Sequence, residues 1–217
     1  MKSLTVALLV GIVATQYASS SLSADLIMDK PKEVGIVDVS RDWSGPFIGV
    51  FGGWSAGSYW ETGGSIYTTD FSGGLLGAVV GANLVVTDGV VAGVVGDVAW
   101  TDAGFEVGTA SFDVDWTGSL RGRLGFDGGA FLPYLTAGLA VAGATADSVY
   151  GPSANTHVGW TAGAGLEYAA TENLSVDLLY RYSDYGPRPY YPDDDPVSPY
   201  DAAFTTHQIS VGLNWRL

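Results

Sequence analysis

The chain has 217 residues, a formal net charge of −14 and no cysteine, which leaves room for one ordinary domain and excludes disulfides and thiolate metal sites. Its 47% hydrophobic and 15% charged content argues against a disordered chain. The acidity argues against nucleic acid as a partner, because binding a polyanion needs a basic footprint.

At the N-terminus, Lys2 is followed by the apolar run Leu4 to Ala14 and then by small residues up to Ala24. This is the three-part layout of a secretory signal, with Ser21 and Ser23 satisfying the cleavage rule. Residues 1–23 are therefore expected to be a signal peptide, and its removal with Lys2 takes the charge from −14 to about −15. Residues 24–42 carry Pro31 and charges of both signs at Asp29, Lys30, Lys32 and Glu33, the composition of a flexible periplasmic leader. The folded domain is expected over 43–217. No later run is long and apolar enough for a transmembrane helix.

From Trp43 onward the chain breaks into eight segments with strand periodicity. The first three, 45–58, 70–86 and 90–101, are rich in Gly, Ala and Val, with Asn83 and Asp97 marking a polar face. In the fourth, Phe112, Val114, Trp116, Leu120, Leu124 and Phe126 share one parity, and Asp113, Asp115, Thr117, Ser119, Arg121 and Arg123 the other. The fifth, 131–146, is again rich in Gly and Ala. In the sixth, Val158, Trp160, Ala162, Ala164, Leu166 and Tyr168 oppose His157, Thr161 and Glu167. In the seventh, Leu174, Val176, Leu178, Tyr180 and Tyr182 oppose Ser175, Asp177, Arg181 and Ser183, with Leu179 the exception. In the last, Ile209, Val211, Leu213, Trp215 and Leu217 oppose Gln208, Ser210, Asn214 and Arg216.

Connections alternate between short ones (87–89, 127–130 and 171–173) and long ones (about 59–69, 102–111, 147–156 and 186–203). Short turns on one side and long loops on the other, after a secretory signal, predict an all-β fold: an eight-stranded antiparallel transmembrane barrel with periplasmic turns and extracellular loops. Two interfacial girdles are expected, Trp54, Trp60, Trp100, Phe112, Tyr182 and Tyr185 by the long loops and Trp43, Phe126, Tyr168 and Trp215 by the turns.

Several stretches resemble the small outer-membrane immunogenic or porin-like β-barrel proteins of alphaproteobacteria. They are Trp43 to Gly49 (WSGPFIG), Gly93 to Trp100 (GVVGDVAW), Val114 to Gly125 (VDWTGSLRGRLG), Leu132-Pro133-Tyr134, Val158 to Tyr168 (VGWTAGAGLEY) and Val211 to Arg216 (VGLNWR). The resemblance spans nearly all of 43–217, and Ala24-Asp25-Leu26 looks like the family's usual mature start. It implies a place in the outer membrane, contact with its lipid and lipopolysaccharide, and insertion by the barrel assembly machinery. Relatives are often labelled porins. Two departures stand out: Leu217 replaces the family's usual terminal phenylalanine, and loop 186–203 is rich in proline and aspartate.

An eight-stranded barrel is narrow enough for side chains to fill it. Asp97, Asp113, Asp115, Arg121, Arg123, Glu167, Asp177, Arg181 and Arg216 are therefore expected to point inward as a paired charge network, since unpaired charge is costly there. Structural support or surface interaction is the expected role, and a narrow ion or solute path along the same residues is the alternative. Catalysis is not expected: His207 and Ser210, three apart on one strand, project to opposite faces, and no nucleophile with its base is identifiable. Loop 186–203, with Tyr185, Tyr190, Tyr191, Tyr200 and the run Asp193 to Asp195, is the candidate contact for an extracellular ligand. Those aspartates lack spaced calcium ligands, and haem would have to be held through tyrosine. No cofactor or metal is expected.

Overall fold

The computed structural model describes residues 42–62, 68–148, 151–190 and 200–217. The expected signal peptide and all but the last residue of the leader lie outside the described residues, as do Tyr191 and Asp193 to Asp195. Eight antiparallel strands follow one another: β1 (Gly45–Thr62), β2 (Thr68–Thr87), β3 (Val90–Val107), β4 (Ala110–Phe126), β5 (Phe131–Ser148), β6 (Gly151–Ala169), β7 (Leu174–Tyr190) and β8 (Tyr200–Arg216). Each pairs with its chain neighbours, and β8 returns to β1 to close the barrel. Outward-facing and inward-facing residues alternate along each strand, and closure leaves no edge through the middle of the wall.

The outward face is apolar all round. Ile48, Leu76, Val94, Leu120, Leu135, Leu166, Leu178 and Val211, one from each strand, are all exposed. A belt of that extent has no place in water, and hydrocarbon is the solvent that suits it. Phe126, Phe131, Tyr168 and Trp215 rim the belt near the short turns, with Phe131 and Tyr168 in ring contact at 5.0 Å. The β2–β3 turn is a two-residue Asp88-Gly89 loop, where Gly89 at φ 81° adopts the left-handed conformation such hairpins require.

The strands run 17 to 20 residues, whereas about 9–11 suffice to cross a bilayer. The excess lies at the long-hairpin end. Residues 102–107 and 151–156, expected as loop, are strand, and β3 joins β4 through Gly108 and Thr109 alone. Above the membrane the wall changes form. The β2–β3 pairing stops at Ser72 and Gly104, and the β6–β7 pairing stops at Gly159 and Tyr185. Beyond those points β3–β4–β5–β6 remain paired up to Ser148 and Gly151, and β7–β8–β1–β2 form a second wall. The outer end is thus two four-stranded sheets facing each other across two seams.

A register shift between Val114 and Trp116 exchanges the faces of β4. Below it Arg121 and Arg123 point in, as expected. Above it Phe112 and Val114 are buried inside, while Asp113 and Asp115 are exposed outside. Those two aspartates are therefore not part of the interior, and Phe112 is not part of a girdle.

Candidate functional site

The space enclosed by the barrel is filled at three levels. At the periplasmic mouth Trp43 folds under the barrel and packs with Val91, Leu132 and Ala169, its indole N–H donating to the Gly129 carbonyl at 3.2 Å. It is 0% exposed, so it plugs the mouth instead of standing in the lipid interface. The guanidinium of Arg216 lies over its ring at 5.3 Å and donates to the carbonyl of Asp42. Among the described residues Arg216 thus sits at the rim, apart from the central network.

The middle level is charged. Asp97 on β3 bridges two arginines, meeting Arg121 at 2.7 Å and, across the lumen, Arg181 of β7 at 2.9 Å. Ser119 donates to the same carboxylate and accepts from Arg121 Nε at 2.8 Å, while Arg181 also donates to Gln208 at 2.7 Å. Nearer the periplasm Glu167 pairs with Arg123 and accepts from Ser175 and Asn214. The Arg123 guanidinium lies 3.9 Å over the Tyr134 ring, whose hydroxyl donates to both oxygens of Asp177 at 2.9 Å. The cavity beside these groups measures about 30 Å³, room for a water or two.

Six of the nine charges expected inside, Asp97, Arg121, Arg123, Glu167, Asp177 and Arg181, stand together here. Of their neutral partners, Ser119 and Gln208 lie on the polar parity read from the sequence, whereas sequence reasoning missed Tyr134. The parity that places Thr136 inside also places Tyr134 there. Its ring needs Gly165, where an added Cβ would lie 2.3 Å from a ring carbon. Gly165→Ala should therefore push Tyr134 off Arg123 and Asp177 and cost about 1–3 kcal/mol, read as a lowered urea midpoint in lipid.

The outermost level is apolar. Tyr59, Phe71, Phe112, Tyr185, Tyr190 and Phe204 form one cluster between the two walls, and alanines at 140, 142, 144 and 146 of β5 leave the rings room. Tyr185, 2% exposed, lies inside this cluster and not at the interface. His157 joins it with Nδ1 at 2.9 Å from the Gly186 carbonyl and Nε2 at 2.9 Å from the Tyr190 hydroxyl. On the lipid side Trp54, Trp100 and Trp160 are exposed, with Tyr182 against Trp160 at 5.4 Å. Trp160 was not among the expected girdle residues, and Trp60 stands farther out, near the tip of β1.

A closed eight-stranded barrel with a lipid-facing belt and a filled, charge-paired interior defines an integral outer-membrane β-barrel. The chain matches the outer membrane protein beta-barrel domain over residues 5–216, and it belongs to that family. It is 30% identical over 220 residues to the 25 kDa outer-membrane immunogenic protein of Brucella abortus, covering 100% of both chains. It is also 30% identical to a 22 kDa outer membrane protein of Rhizobium leguminosarum, covering 95% of this chain and 97% of the relative. Among solved structures, the outer membrane protein OprG from Pseudomonas aeruginosa shares the fold at a TM-score of 0.51 and 15% identity, over 83% of this chain and 100% of that one. The protein resides in the cell outer membrane, with its belt in the lipid.

Proposed function

We propose that the protein is a closed barrel that serves the envelope through its outward surface and passes no solute. The observation that carries this reading is the filling of the lumen by the Trp43 plug, the Asp97–Arg121–Arg181 bridge and the aromatic cluster. An eight-stranded barrel is narrow enough for three such layers to close it. Lipopolysaccharide then meets the outer girdle, the barrel assembly machinery inserts the chain, and an extracellular ligand meets the segment 186–203. The Brucella relative's name, an immunogenic protein, fits an exposed outer end.

The reading includes no catalysis. His207 lies on the lipid side with Nδ1 2.7 Å from the Tyr180 hydroxyl, while Ser210 faces the lumen, so the two do not form a nucleophile and base.

The test is single-channel recording of refolded wild type in planar bilayers beside the Arg121→Ala, Arg123→Ala double variant. Wild type should be silent. Reproducible wild-type openings that change in the double variant would replace this reading with a narrow porin lined by the charged level.

A further inference from the structure

The two outer seams leave four strand borders, and they are not equivalent. Among the described residues those of β2 and β3 are short, running from Thr68 to Phe71 and from Phe105 to Val107. That of β7 carries Pro187 and Pro189, which lack the N–H a partner strand would use. That of β6 differs. Ser153 to Val158 are held on one side by β5, while among the described residues no β7 backbone pairs with them on the other. The border bears no charge and no proline over that stretch. Among the described residues side chains alone bridge the seam here: His157 reaches the Gly186 carbonyl at 2.9 Å, Asn155 the Pro189 carbonyl at 3.0 Å, and Tyr190 meets His157 Nε2 at 2.9 Å and the Ala144 carbonyl at 3.3 Å. A strand border of this kind is a template for a further strand.

Charge selects the kind of strand. No lysine follows Lys32, and of the five arginines after Arg41 only Arg188 lies at the outer end. The same end carries Asp70, Asp102, Asp113, Asp115 and Asp147 in exposed positions, and Asp147 is the direct β5 partner of Pro152 beside the border. An approaching cationic segment is favoured by this field and an anionic one is repelled.

We propose that the β6 border from Ser153 to Val158 is a docking site for an extended, basic polypeptide segment, which adds as a strand in the β6–β7 seam and displaces the Asn155 and His157 latches. The proposal rests on the reading of the outer end as a contact surface. It is independent of conductance, so a conducting barrel would remove the closed-lumen reading and leave the seam untouched.

The experiment uses the full mature protein in nanodiscs and three blocked octapeptides: alternating Lys-Val, alternating Glu-Val, and Lys-Val methylated on alternate backbone nitrogens. Hydrogen exchange is followed by mass spectrometry. The Lys-Val peptide should bind and slow exchange in 153–158, the methylated peptide should bind about tenfold or more weakly, and the Glu-Val peptide should not bind. Absence of Lys-Val binding, protection located elsewhere, or equal binding of the methylated peptide would overturn the proposal, the last meaning adsorption to the acidic surface only. Because the wild-type chain is used, a folding defect cannot mask the answer.

Discussion

Asp97→Asn should be among the most damaging single substitutions in the barrel. The carboxylate is 1% exposed and is shared by Arg121 and Arg181, themselves 5% and 3% exposed in their side chains. Asparagine keeps the shape and removes the charge, leaving two guanidiniums without their common partner. Removing one member of a buried ion pair costs about 3–5 kcal/mol, and the Arg181 contact also ties β7 to β3 across the lumen. The urea midpoint of the refolded protein should fall by that equivalent with an unchanged slope. Combining Asp97→Asn with Arg181→Gln should cost less than the sum of the two, with a coupling of about 0.5–3 kcal/mol. A loss below about 1 kcal/mol, the size expected for a solvent-exposed pair, would mean that the charged level is wet.

Phe204→Ala is the second large effect. Phe204 is wholly buried and stacks on Tyr185 at 4.6 Å, with Phe112 at 5.6 Å, Phe71 at 6.0 Å and His157 at 5.0 Å. It stands on the β7–β8–β1–β2 wall, while Phe112 and His157 stand on the other, so the ring joins the two sheets. Its loss should cost about 3–5 kcal/mol, the usual range for a buried phenylalanine cut to alanine. Amide exchange should accelerate at the outer ends of β5 and β6, where one wall loses its contact with the other. Exchange that stays unchanged there would mean that the walls hold together without the cluster.

How much of this was legible in the sequence depended on what each face of a strand meets. In β6, β7 and the end of β8 one face meets lipid and the other a polar lumen, so Trp160 against Thr161 or Leu178 against Asp177 revealed the parity directly. In β4 the same rule holds below the register shift and inverts above it, because a shift leaves no mark in composition. Asp113 and Asp115 were therefore placed inside, although they face out. Above the membrane the outer face no longer has to be apolar and the inner face becomes aromatic, so 151–156, with Pro152 and Asn155, has the composition of a loop while pairing fully with β5. Trp43 carries the same signature whether it stands in the interface or turns under the mouth, and only packing on Val91 and Leu132 distinguishes the two. The charged level was visible because arginines are few in this chain and Arg121, Arg123 and Arg181 fell on the polar parity.

Closure of the lumen is the claim on which the proposed function depends, and the absence of cysteine allows it to be measured in the folded barrel. A cysteine placed at Ser210, which lines the central cavity, is treated with a membrane-impermeant cationic thiol reagent in nanodiscs open to both mouths, beside a control at the exposed Ser72. The control should label fully within minutes, while Ser210→Cys should stay unlabelled until the protein is unfolded. Labelling of the folded Ser210→Cys barrel at a rate comparable to the control would show an aqueous path through the centre and contradict the account.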